Sequence, residues 1–296
     1  MTNKSVAQIC AIAAVVALPT LSWAGTSAKD AQGVKAAPAP QKLQESAITG
    51  DIGVNVVTSY YSRGIIQNNH SASYQPYADI FLKTYEGDGL LNKVVLNASI
   101  WDSFSNPATW PKNYATATKA APTTKSWYES DFTPGIALTF GKVTLTETYL
   151  FYFSPNDQFD TFEGLNSKLA YDDSDLLGAF ALHPSVTYLK ELVGNGGTNS
   201  RKGGYWEAAV APGFSAGPVA VTVPITAGFG TSKFYDKDGY GYLSAGLNLA
   251  YTLPVSKSYG TWTANVGGTY YNINRSAAGG TMSNDVVGSA GIAVAF

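Results

Sequence analysis

From Ile48 to Phe296 the chain repeats one unit: about ten residues in which apolar and polar positions alternate, then a break. Leu243, Ala245, Leu247, Leu249, Tyr251 and Leu253 alternate with Tyr242, Ser244, Gly246, Asn248, Ala250 and Thr252. Val219, Val221, Val223 and Ile225 do the same, as do Phe180, Leu182, Val186 and Tyr188. A period of two over this length predicts strands, and no segment shows a comparable helical period. Their predicted cores are 51–63, 74–84, 91–102, 128–140, 142–153, 163–171, 177–189, 204–213, 218–230, 241–253, 260–272 and 284–296. Each is near the ~10 residues that a tilted membrane strand needs.

The breaks are sorted by length. "EGDG", "GK", "DDSD", "SAGP" and "PVSKSYG" are short, whereas the connections between them are mostly longer, up to the run from Ser103 to Ser126. Short turns at one end and long loops at the other, with both termini at the short end, predict an all-β fold. The expected architecture is a transmembrane antiparallel up-and-down barrel of about twelve strands (range ~10–14). The last strand should pair with the first, around Asp51 to Arg63, and leave no open edge. Val286, Ala290, Ile292, Val294 and Phe296 would then meet lipid, with Phe296 in an aromatic girdle. An ending of this kind resembles the signal by which the barrel assembly machinery recognises outer-membrane barrels. Pro76, Pro134, Pro184, Pro212 and Pro224 fall inside these strands and predict bulges or interruptions, because proline removes a ladder hydrogen bond.

Composition narrows the class. Of 296 residues only 14% are charged, against about a quarter in average globular chains. Glycine, tyrosine, phenylalanine and tryptophan take up the difference, and a net charge of −2 gives nucleic acid no basic surface to bind. Lys4, the apolar run Val6 to Leu18 and the small residues Ser22 and Ala24 predict an export signal over 1–24, cleaved before Gly25. The one cysteine, Cys10, lies inside that segment, so the mature chain has no thiol chemistry. Residues 25–47 are rich in Ala, Lys, Gln and Pro and read as a disordered leader ahead of the barrel, 48–296. The expected location is a bacterial outer membrane, with both termini periplasmic.

Inside such a barrel the parity opposite the lipid-facing residues places Arg63, Asp79, Lys83, Asn97, Asp131, Lys168, His183, Glu207, Asn248 and Asn265 toward the lumen. Their mixed charge suits a narrow hydrated pore and equally a lumen filled by its own ion pairs, since twelve strands lie between filled and open barrels. Glu147 is ambiguous: its parity matches Val143 and Leu145, but a lipid-facing carboxylate costs free energy, which leaves open a strand with its apolar side inward. The long loop carries Trp110, Lys112, Lys119 and Lys125 and no acid. It would either fold into the mouth as a constriction or contact lipopolysaccharide phosphates. No catalytic residues are assigned: the chain has two histidines, His70 and His183, and no G-x-S-x-G elbow. "DKDG" (236–239) lacks the later glutamate of a calcium loop, and Asp172, Asp173 and Asp175 read as solvated turn acids, so neither a metal nor any other cofactor is expected.

"VVTSYYSRGIIQ" resembles the first strand of the TorF-type family of outer-membrane porins, through Tyr60, Arg63, Gly64, Ile65 and Gln67. "YLFYFSP" (149–155) is similar to that family's aromatic run before a proline. Thr58 and Ser59 stand where the family tends to have Ser and Asp, so an Asp–Arg pair in the lumen is not implied. Arg63 would be either a lumen residue or a rim arginine on lipid phosphate. The resemblance implies a pore without naming a solute. The resulting expectation is passive passage of small hydrophilic solutes, with a weak anion preference from the bases of the long loops. The alternatives are a filled structural or adhesive barrel and, further off, a lipid hydrolase. The partners expected are outer-membrane lipid, lipopolysaccharide, the assembly machinery and small solutes.

Overall fold

The computed structural model describes residues 47–69, 71–106, 126–198, 203–275 and 283–296. The export signal (1–24), the leader up to residue 46, His70, Trp110, Lys112, Lys119 and Lys125 lie outside the described residues. The strands are β1 (Ile48–Val57), β2 (Tyr60–Ser62), β3 (Ile65–Asn68), β4 (Ser73–Glu86), β5 (Lys93–Ser105) and β6 (Trp127–Phe132). They continue with β7 (Gly135–Phe140), β8 (Val143–Phe153), β9 (Phe162–Tyr171), β10 (Ser185–Val193), β11 (Gly204–Val210) and β12 (Gly213–Ala216). The last five are β13 (Val219–Thr222), β14 (Ile225–Thr231), β15 (Gly239–Thr252), β16 (Thr261–Ile273) and β17 (Asn284–Ala295).

β6 and β7, β11 and β12, and β13 and β14 run in line, so the wall consists of twelve antiparallel staves. The wall closes through β1 and β17, which pair from Asp51↔Ala295 to Val57↔Ser289. Gly50 and Phe296 extend that ladder by exchanging backbone hydrogen bonds of 2.9 Å in both directions. In hydrocarbon each open backbone group costs several kcal/mol, so closure is the condition for any strand to stay in the membrane. The outward face is apolar, with Ile52, Val54, Ile80, Leu96, Ile100, Leu165, Leu247, Val266 and Ile292 among its exposed side chains. Neither β1 nor β17 is left as an edge, and among the described strands of the wall β12 is the one that pairs on a single side, with β13.

The three interruptions of the wall fall at prolines. Pro134 divides β6 from β7, Pro212 divides β11 from β12, and Pro224 divides β13 from β14. Each lacks a donor but keeps its carbonyl in the ladder, accepting from Tyr149, Val223 and Gly246 at 2.9, 2.9 and 2.8 Å. Pro76 stays within β4, where the β4–β5 ladder lapses between Tyr74 and Tyr77 and resumes in register.

Two strand expectations are corrected. The seventh stave does not begin at residue 177: Ser174–Leu177 forms a helical turn, α1, a 3-10 turn covers Gly178–Phe180, and β10 starts at Ser185. Phe180 and Leu182 therefore alternate by coincidence of sequence, not as strand. The first stave ends at Val57, and the residues after Thr58 leave the wall altogether.

Candidate functional site

Tyr60–Ser62 and Ile65–Asn68 pair only with each other, in register Ser62↔Ile65 and Tyr61↔Ile66. The two residues between them, Arg63 and Gly64, have φ of 51° and 76°. A two-residue hairpin turn of the I′ kind needs positive φ at both positions, which glycine adopts freely and arginine at a cost of order 1 kcal/mol. That strain is held by the surroundings. Tyr60, Tyr61, Ile65 and Ile66 are buried, and Arg63 at the tip is 1% exposed. The hairpin is folded into the barrel.

It is fastened around the wall. Tyr60 Oη donates to Glu129 Oε2 on β6 at 2.6 Å, and Tyr61 Oη donates to Asp285 Oδ2 on β17 at 2.7 Å. Tyr61 stacks on Tyr271 of β16 with centroids 4.8 Å apart. Tyr128 Oη donates to Gln67 Oε1 at 2.7 Å. Arg63 Nη2 donates to Tyr152 Oη on β8 at 3.2 Å, and the Arg63 carbonyl accepts from Tyr235 Oη at 2.7 Å. The guanidinium carbon lies 5.6 Å from the Tyr152 ring centroid and 5.8 Å from that of Phe162, inside cation–π range.

Space for the hairpin comes from glycine on the opposite wall. A Cβ on Gly64 would come within 2.5 Å of Tyr242 Cδ1, and a Cβ on Gly228 would meet both Tyr242 and Tyr205. Tyr205 Oη donates to Glu207 Oε2 at 2.8 Å, and the single O–H of Tyr242 is shared between Tyr205 Oη at 2.8 Å and Glu207 Oε2 at 3.3 Å. Lys168 and Arg63 both lie within electrostatic reach of Glu207. Glu191 accepts from the backbone of Gly196, Gly197 and Gly203 at 2.7, 3.1 and 2.6 Å, which folds that loop inward. Gly196 and Gly197 of "GNGG" (194–197), together with Gly203, thus form a nest for the chain's own carboxylate.

The expected lumen residues divide into groups. Arg63, Lys168 and Glu207 come together at the hairpin tip. Asp131 is buried beside the Tyr60–Glu129 pair at its base. Asp79 lies opposite Asp51 in the ladder, and Lys83 pairs with Glu86 at the short-turn rim. Asn97 is buried, while Asn248 and Asn265 are half-buried on the inward parity of β15 and β16. His183 is the correction: it stands at positive φ in the short turn before β10, with its N–H on Asp173 Oδ1 at 2.9 Å. Asp173 is no solvated acid either. Burial opposes its ionisation, but the N–H groups of Leu182 and His183 outweigh this and hold its carboxyl below the ordinary value.

The ambiguity at Glu147 is resolved by β8. Thr146, Thr148, Leu150 and Tyr152 are the buried inward set of β8, which leaves Glu147 on the outward face, accepting from Ser167 Oγ at 2.7 Å. Glu129, Glu191, Tyr205, Tyr235 and Tyr242 were not among the expected site residues. Glu191 shares the parity of Thr187 and Leu189, both buried, and that is the signal that could have found it.

No protein-family model matches the chain, and no curated protein matches it. Among solved structures it is similar to the NanC porin, at 13% identity and a TM-score of 0.43, covering 84% of this chain and 99% of that one. It is also similar to the outer membrane channel DcaP of Acinetobacter baumannii, at 10% identity and a TM-score of 0.37, over 84% and 96% of the two chains. Outer membrane phospholipase A from Escherichia coli gives 13% and 0.40, over 83% and 92%.

Proposed function

We propose that this chain is a porin-like channel of a bacterial outer membrane, with both termini periplasmic, that passes small hydrophilic solutes passively. The carrying observation is the hairpin folded inside a closed barrel, where it narrows a lumen lined by charged side chains and hydroxyls. The hairpin is the constriction. On this reading the export signal over 1–24 is cleaved before Gly25, the outer rim contacts lipopolysaccharide, and Phe296 engages the assembly machinery. The resemblance to TorF-type porins supports the same reading, because Tyr60, Arg63, Gly64, Ile65 and Gln67 are the hairpin itself.

The loops and the lumen pull selectivity in opposite directions. The weak anion preference expected at the mouth rests on the bases of the long loops (Arg63, Lys112, Lys119, Lys125, Lys190, Arg201, Lys202, Lys233, Lys237 and Arg275), of which Arg63 is inside the barrel. Among the described residues, the buried carboxylates of the barrel (Asp51, Glu129, Asp131, Glu191, Glu207) outnumber its buried cations (Arg63, Lys168). Fields are strongest where the passage is narrow and dry, so we propose that the lumen sets the sign and favours cations mildly.

Planar-bilayer conductance tests the channel. The wild type should open small conductances, and replacing residues 60–68 with a short Gly/Ser linker should enlarge them several-fold. If the folded linker variant forms no channels, the second reading holds: a filled structural or adhesive barrel, favoured by the zero exposure of Tyr60, Tyr205, Tyr235 and Tyr242. A hydrolase is disfavoured by the place of His183, and lipid-ester hydrolysis lost on His183→Ala would reverse that judgement.

A further inference from the structure

The Arg63 side chain lies in surroundings that recognise a small organic cation as such. Two aromatic rings, Tyr152 and Phe162, flank its guanidinium carbon at 5.6 and 5.8 Å, and a phenol oxygen accepts from Nη2 at 3.2 Å. Glu191 and Glu207, both buried, lie within its electrostatic reach. None of the four groups belongs to the hairpin. They come from β8, β9, β10 and β11, so the cage is part of the wall, and the hairpin delivers the cation to it. With Arg63 in place, two cations (Arg63, Lys168) balance two carboxylates. Without it Lys168 alone faces the two buried acids, and a buried carboxylate short of its counter-charge is costly.

We propose that this cage is a binding site for guanidinium- or ammonium-bearing small solutes, which Arg63 occupies as an internal ligand until the hairpin tip withdraws. The proposal rests on the channel reading for its role in transport, but the binding itself does not. Solute entry and hairpin release become one competition: a cation that fills the cage lowers the cost of removing Arg63.

The test uses the full-length chain refolded in detergent, with Arg63→Ala emptying the cage and millimolar methylguanidinium chloride as the probe. Its thermal midpoint should fall below the wild type's and rise again saturably with methylguanidinium. The half-saturating concentration should be about tenfold lower than for sodium, the size of one cation–π contact with a hydrogen bond. The wild type should not respond, and Arg63→Ala/Glu207→Gln should lose the response. If Arg63→Ala does not refold alone, its refolding yield in methylguanidinium against sodium at equal ionic strength is the same readout. Equal effects of the two cations, no effect of either, an equal effect of sodium acetate, or a response that survives Glu207→Gln each overturns the site. None of these measurements needs conduction. A non-conducting barrel that responds keeps the cage and loses the channel; a conducting one that does not respond loses the cage alone.

Discussion

Gly228→Ala tests whether the lumen is a packed layer or merely a lined one. The new Cβ would lie 2.8 Å from Tyr242 Cδ1, closer still to Cε1, and 2.7 Å from Tyr205 Oη. Carbon atoms in contact prefer about 3.5–4.0 Å. The Tyr242 ring would therefore have to retreat by roughly an ångström, and it has nowhere to go. It is fully buried, its hydroxyl is held by Tyr205 and Glu207, and Gly64 at the hairpin tip packs against the same ring. Overpacking of this kind costs about 1–3 kcal/mol, and losing a glycine from the unfolded chain returns about 0.4–1, so the expected net loss is about 1–2 kcal/mol.

Tyr242→Leu, alone, removes the ring and leaves Glu207 and Tyr205 short of a partner, at a cost of about 1–3 kcal/mol. Together the two changes should cost at least ~1 kcal/mol less than their sum, because the alanine methyl enters the space the ring has left. Urea unfolding of the reconstituted barrel, followed by its heat-modifiable gel band, measures all four corners of the cycle. The single-channel conductance of Gly228→Ala should rise, since the support under Gly64 is displaced. Wild-type stability for Gly228→Ala, or additivity of the pair within about 0.5 kcal/mol, would refute the packed layer.

Three further outcomes are expected. Deleting Phe296 removes both hydrogen bonds to Gly50 and the ring that covers it, so folded yield should drop far more than on deleting 30–44; equal yields would contradict the closure argument. Asp173 is held below its ordinary value by backbone donors, so its contribution is present above the unfolded pKa, about 3.9, and is lost as pH falls through the folded one. Asp173→Asn should accordingly lower stability at neutral pH and flatten its decline below pH about 4; parallel curves for variant and wild type would show that the carboxylate contributes nothing. Glu147→Leu should stabilise the barrel in vesicles by about 1–2 kcal/mol, because a carboxylate facing hydrocarbon is disfavoured even with Ser167 attached, and a loss of stability would mean that this face meets something other than lipid.

The wall was legible because a membrane strand must alternate and a barrel must close. Parity alone put Val286, Ala290, Ile292 and Val294 outward, and the pairing of β17 with β1 follows from having no tolerable edge. Where one of these constraints lapsed, so did the reading. "SDLLGAFALHP" alternates at its end like a strand, yet its short helical turn leaves Phe180 81% exposed. Outside the ladder no hydrogen-bond partner enforces the period. Glu147 was ambiguous for a different reason: strand parity and the cost of a lipid-facing acid point opposite ways, and what lets parity win is Ser167 at the same height on the neighbouring strand.

The hairpin is the instructive failure, because its sequence signal was present. "YYSRGIIQ" is two short β-prone runs around a two-residue turn ending in glycine, which is a hairpin pattern. It also continues the alternation of β1 without a break, so period two fits both a longer strand and a folded-back one. What separates them is energetic and non-local. As a strand extension, the segment would have left Arg63 at a wet rim with few partners. Folded inward, Tyr60 and Gln67 find hydrogen-bond partners on β6, Arg63 on β8 and Tyr61 on β17, the last 224 residues away in sequence. The positive φ at Arg63 is the local cost of that arrangement. A residue that accepts backbone strain in order to place a buried charge among aromatic rings and acids is held there by the whole circumference of the barrel.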